Sequence, residues 1–246
     1  YKQTGTVNIA NSTVTATNNG IDLSNSNGGN VTITDTTVIA TNGFGIDATS
    51  HQAVAINGVN VTAGTKGILA TTDGTVMDIS TNGTDHDITA GNVGVEIGGK
   101  GSQVNFTGTA PLSIEITKGG NEHTDAGIYA HDGATSNNPS MATTITIDGY
   151  PYGNGASASG LIATSGSTIT FSNADNVIKT DNTKGAVKNV DGIYAENGST
   201  VVMTDGTINI SGKLSANGIH AVAEAADKSA TKGSTVTLSN LGANFS

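Results

Sequence analysis

Cysteine, arginine and tryptophan are all missing from the 246 residues. Without cysteine there can be no disulfide framework and no thiolate metal site, and the chain can cross an oxidising compartment without becoming cross-linked. Without arginine, and with a formal net charge of −10, the chain has no basic groove for a phosphate backbone, so nucleic acid is not an expected partner. Aromatics are few (five Tyr, four Phe) while glycine reaches 34, which argues against an ordinary globular core. No apolar run approaches the roughly 20 residues that span a bilayer as a helix, so this segment is not expected to insert into a membrane.

What is present is repetition. A phrase of Gly, an apolar residue, any residue and a small one recurs from Gly20-Ile21-Asp22-Leu23 through Gly127-Ile128-Tyr129-Ala130 and Gly192-Ile193-Tyr194-Ala195 to Gly218-Ile219-His220-Ala221, at intervals of 22 to 33 residues. Self-similarity at this period is the signature of a solenoid. A second phrase alternates with period two: Val31/Ile33, Val54/Ile56, Val104/Phe106, Ile145/Ile147, Ile169/Phe171, Val201/Met203 and Val236/Leu238. A third follows in several repeats, as Val38/Ala40, Val59/Val61, Ile88/Ala90, Ile114/Ile116 and Ile208/Ile210. Period two sends the apolar members to one face. Three short strands bounded by Gly, Asn and Asp turns describe one coil of a parallel β-helix, and about eight or nine coils are expected.

A single coil leaves every strand edge unpaired and cannot bury its own inward side chains, so the phrase must be rewritten until the coils stack. Each inward Ile or Val then contributes about 1.5–3 kcal/mol by burial, with neighbouring strands about 4.8 Å apart. Ile128, Ile193 and Ile219 are expected to point inward and stack. The chain reads as one solenoid over 1–246, and because Val7/Ile9 and Val236/Leu238 both fit the second phrase, it reads as cut from a longer one at both ends. Long intervals place protruding loops near 118–126, 131–142, 148–159 and 179–191, and 221–232 reads as a loop.

The phrases GIYA, GSTVVMT and GTINIS, with the parallel GSTITFS and GSTVTLS, resemble the passenger region of monomeric autotransporters, the family that includes pertactin-like and self-associating adhesins. The resemblance covers the whole chain. It implies a right-handed β-helix displayed on, or released from, the surface of a Gram-negative bacterium, with a role in adhesion. Its expected partners are a second copy of itself, or a host or matrix protein or glycan.

Candidate chemistry is thin. Asp22 and Asp47 on adjacent coils could pair as glycosidase carboxylates, which keeps a carbohydrate-active enzyme as the alternative, beside a purely structural spacer. Asp85-His86-Asp87 and the group Glu122, His123, Asp125, His131 and Asp132 are compatible with Ca²⁺ or Zn²⁺ in residue type, but neither has a recognised spacing. Both read as solvated turns, and no cofactor or metal is expected. Alternation does send the third position of the Gly phrase outward, giving the column Asp22, Asp47, Leu69, Glu96, Tyr129, Ile162, Tyr194 and His220. Its stretch Tyr129, Ile162 and Tyr194 is the expected exposed binding stripe, the competing readings being an outward stacking ladder or a stripe covered by Tyr150-Pro151-Tyr152.

Overall fold

The computed structural model describes residues 6–24, 29–49, 53–81, 83, 86–119, 124–148, 157–181, 187–212, 214–222 and 233–245. They form 26 strands and no helix. The strands belong to three parallel sheets of nine, nine and eight, each sheet taking every third strand in chain order. This is a right-handed parallel β-helix of nine coils, the hand that parallel crossovers take.

The inward columns follow from the alternation. In the first sheet Val7 stacks on Val31, Val31 on Val54, and Val54 on Met77, with Ile9, Ile33, Ile56 and Ile79 beside them. The second sheet stacks Val38, Val61, Ile88, Ile114, Ile145, Ile178 and Ile208. In the third, Ile128, Leu161, Ile193 and Ile219 stack as expected; Ile219, on the last described strand of that sheet, remains 42% exposed. The small residues Ala48, Ala70, Ala130, Ala163 and Ala195 are fully buried, which keeps the interior narrow beside the third sheet.

The glycine that opens the phrase is required by space from Gly20 to Gly192. A Cβ on Gly127 would lie 2.3 Å from Ile145 Cγ2 and 2.8 Å from the Gly160 carbonyl oxygen, and one on Gly160 would repeat the clash with Ile178 and Gly192. At this corner the second sheet's isoleucines press against the third sheet's backbone, so only hydrogen fits. The next corner is built differently. Asp132-Gly133, Ser165-Gly166 and Asn197-Gly198 have φ of 57/78°, 55/77° and 54/76°, the paired positive values of a type I′ turn. Buried serines tie these turns together: Ser199 Oγ accepts from the Gly166 and Ser167 N–H groups, and Ser167 Oγ accepts from Gly133 N–H.

Two expectations change. The segment 131–142 is not a protruding loop, because Thr135–Asn138 is a strand of the first sheet, paired with Gln103 and its successors on one side and Thr168 and its successors on the other. Its inward residues Ser136 and Asn138 are fully buried, and Asn138 donates to Thr143 Oγ1 and accepts from Met141 N–H. Since this polar strand fills the first-sheet position of its coil, Ile145/Ile147 belong to the second sheet, stacked on Ile114/Ile116. Ala221 and Val222 also extend the last strand of the third sheet rather than opening a loop. Of the other expected loops, 120–123, 149–156, 182–186 and 223–232 lie outside the described residues, as does Tyr150-Pro151-Tyr152.

Candidate functional site

The outward column of the third sheet has the register that the repeat predicts. Asp22 pairs with Asp47, Asp47 with Leu69, Leu69 with Glu96, Glu96 with Tyr129, Tyr129 with Ile162, Ile162 with Tyr194, and Tyr194 with His220. The expected exposure is not there. Ile162 is 0% exposed, Tyr194 4% and Glu96 6%, while Tyr129 is half-buried. Ile162 and Tyr194 form a small apolar cluster with Ala126, against which Tyr129 and Val222 pack. Tyr129, Ile162 and Tyr194 are therefore brought together as a second, outer core and not as an open stripe; alternation fixes the face a residue takes but not whether that face meets water.

Polar groups ring this cluster. On one side Lys66 Nζ lies 2.5 Å from Glu96 Oε2, His131 Nε2 is 3.3 Å from Glu96 Oε1, and His131 Nδ1 is 2.8 Å from Asp132 Oδ2. With carboxylates on both ring nitrogens, the imidazole serves as a double donor, which only the cation can do. The hydrogen bond to Glu96 pushes the His131 pKa above its usual value, against the opposing effect of burial and with help from Asp132. Burial alone would raise Glu96; the bonds and charges of His131 and Lys66 together outweigh it and hold the carboxyl below its ordinary range. The His131 ring lies over Gly98, where a Cβ would come within 2.2 Å of it, and 4.8 Å from the Tyr129 ring centroid.

On the other side the Tyr194 hydroxyl donates to Glu196 Oε2 at 2.5 Å. The Tyr194 ring meets His220 edge to face at 5.1 Å, and His220 Nδ1 is 3.1 Å from Asp191 Oδ2, whose other oxygen accepts from Asn217. Asp191 is buried at 3%, so these bonds compensate a carboxylate taken out of water. The sequence named none of Lys66, Asp191, Glu196 or Asn217 as site residues. Period two offered no signal for three of them, because Lys66, Asp191 and Asn217 stand two residues before the inward Ile68, Ile193 and Ile219.

The proposed glycosidase carboxylates are used in turns. Asp22 accepts from the Ser24 amide and hydroxyl and from Asn19, and these bonds hold its pKa down despite some burial. Asp47 Oδ1 accepts from the Thr49 amide. The metal candidates separate. His86 is fully buried while Asp87 is exposed on the opposite face, so the two cannot share an ion, and the reading of His86 as a solvated turn residue is corrected. Asp85, Glu122 and His123 lie outside the described residues, and no group of three or more His, Asp or Glu side chains among the described residues is placed to hold a metal ion.

The first sheet presents the contrasting surface. Its outward strand positions hold Thr, Asn, Ser, Gln, Ala and Val, with Asp78 the single ionisable side chain among the described ones. Asn105 donates to Asp78 and Asn137 donates to Asn105, at 2.8 and 3.2 Å. These bonds make a short amide ladder from coil to coil on a face that is otherwise neutral.

No protein-family model, curated protein or solved structure matches this chain.

Proposed function

We propose that this chain is the non-catalytic shaft of a surface-displayed adhesin of the autotransporter-passenger kind, acting by self-association or by attachment to a host or matrix ligand. The observation that carries the reading is how the chemically capable side chains are used. Both nitrogens of His131 face carboxylates, Asp22 and Asp47 close turns, and Asp191 is bonded from both sides, so each has a structural partner on an uninterrupted nine-coil scaffold. Catalytic groups need an unengaged acid, base or nucleophile aimed at a common point. The resemblance of the repeat phrases supplies the location, the outer surface of a Gram-negative cell.

Adhesion then belongs to the first sheet's outer face and not to the Tyr129, Ile162 and Tyr194 column. A second copy also carries a net charge of −10, and it meets least like charge on the first sheet, whose described outward strand positions hold one carboxylate. Beads coated with the purified chain are expected to clump with one another, or to be retained on immobilised matrix proteins or glycans, in preference to albumin-coated beads. Asn105→Asp combined with Asn137→Asp should weaken the clumping several-fold at low salt while leaving the circular dichroism unchanged. Beads that neither clump nor stick, or release of new reducing ends from a polysaccharide panel, would overturn the reading.

A further inference from the structure

We propose that the coil formed by Val76–Thr81, His86–Ala90 and Val93–Gly98 is an acid-sensitive joint in the shaft, opened by protonation of the His86 imidazole inside the helix. His86 occupies an inward position at the start of its strand, where its register partner on the next coil is Leu112. Of the other inward residues of the same coil, Met77, Ile79, Ile88, Ala90, Val95 and Ile97 are apolar and buried, and Thr81 is buried with its hydroxyl donating to the Ala110 carbonyl. His86 is itself 0% exposed, and neither ring nitrogen has a hydrogen-bond partner. An imidazole in such a place is tolerated neutral. As a cation it would be an unpaired charge among aliphatic groups, which a protein avoids by staying deprotonated or by opening.

Among the described residues, no ionisable group is positioned to rescue the cation. On its own strand Asp87 points to the opposite, exposed face. On the neighbouring strands, Asn60–Ala63 carries no charge, and Glu115 of Leu112–Ile116 is outward, in register with Thr89. Asp78 lies outward on the first sheet of the same coil, bonded to Asn105. Glu96, Lys66 and His131 are engaged together on the outer face of the third. Burial accordingly lowers the His86 pKa to about 4, with no other contribution.

The linkage has a definite sign. The open coil takes up a proton near the ordinary value of 6.5 and the closed coil only near 4, so opening is favoured increasingly as pH falls through that interval. Between pH 7.5 and 5.0 the opening equilibrium should rise about 30-fold. The other inward columns consist mostly of residues that do not titrate, so the effect is local.

Amide hydrogen exchange on the full chain, corrected for the intrinsic pH dependence of the exchange chemistry, tests this. Peptides spanning 76–98 should lose about 30-fold in protection between pH 7.5 and 5.0, while peptides spanning 192–210 hold theirs. In His86→Leu the loss at 76–98 should vanish. Equal losses in parent and variant, no loss at all, or a uniform loss along the rod would each overturn the proposal. Should the variant fail to fold, the parent still decides: an NMR titration of the His86 ring must show it neutral in the closed coil down to pH 5, and a ring titrating near 6.5 while the coil stays protected ends the idea.

Discussion

The inner columns and the outer face of the third sheet are written with the same alternating strands, yet they solve different problems. Inside, Ile128, Leu161 and Ile193 repeat one shape so that each coil offers its neighbour an identical surface. Outside, Tyr129, Ile162 and Tyr194 stand among Glu96, His131, Asp191 and Glu196, and Ile162 and Tyr194 are almost as dry as the core while Tyr129 is half-buried. Repetition makes the core indifferent to which coil is which. The outer cluster, by contrast, depends on particular partners, so it belongs to only part of the rod. Burial in a solenoid is thus not confined to the inside of the coil.

That equivalence in burial can be broken directly. Ile193→Asp would place a carboxylate between two coils with no partner and should cost about 4–5 kcal/mol, read as a loss of the cooperative unfolding transition or a large fall in its midpoint. Ile162→Asp decides the comparison. Were the outer column solvent-exposed, this change would be nearly neutral; buried at 0% it should cost about 2–4 kcal/mol. A chemical denaturation midpoint unchanged in Ile162→Asp would return Tyr129, Ile162 and Tyr194 to the status of an open stripe.

The sequence made the inner columns legible wherever they are aliphatic, because period two and a recurring Gly phrase are local signals. It failed at Thr135–Asn138, which carries no apolar residue. On its first-sheet side that coil turns Ser136 and Asn138 inward, and Asn138 accepts from the turn backbone at Met141. Missing that strand moved Ile145/Ile147 to the wrong sheet. The outer cluster was legible in register but not in burial, since no local pattern reports what covers a face. His86 misled for the opposite reason: flanked by two aspartates it reads as polar surface, while the strand alternation that begins at that residue turns it inward.

Gly127→Ala tests how tightly the inner columns bind the corner between the second and third sheets. The new methyl would meet a side chain, Ile145 Cγ2, and a backbone carbonyl, Gly160 O, at distances shorter than contact. The side chain can rotate but the carbonyl is held in the sheet, so the cost should be about 2–3 kcal/mol, at the upper end of overpacking. Gly101→Ala offers a control, since nothing lies within 4 Å of the added carbon. Its positive φ of 75° should still cost about 1 kcal/mol. An effect at Gly127 no larger than at Gly101 would mean that the corner is not crowded enough to explain the recurring glycine.

The smallest expected effect lies in the polar ring around the outer cluster, and its pH dependence identifies it. The folded His131 pKa is raised, so its contribution is complete below about 6.5 and fades as pH climbs through the higher folded value. The Glu96 pKa is lowered, so its contribution is present above about 4.5 and is lost as pH falls through the lower folded value. Together they stabilise most in the interval between, near pH 5.5. His131→Ala should cost about 1–2 kcal/mol there, and the cost should shrink as pH rises through the higher folded value, because the neutral imidazole keeps only one N–H donor for its two carboxylate partners. His86 acts in the opposite sense over the same interval, so the parent's stability alone cannot separate the two histidines. The difference between parent and His131→Ala, measured by urea unfolding at pH 5.5 and 8.5, can, because the His86 contribution is common to both proteins and cancels. A difference that stays constant from pH 5.5 to 8.5 would show that His131 holds the outer cluster by shape alone.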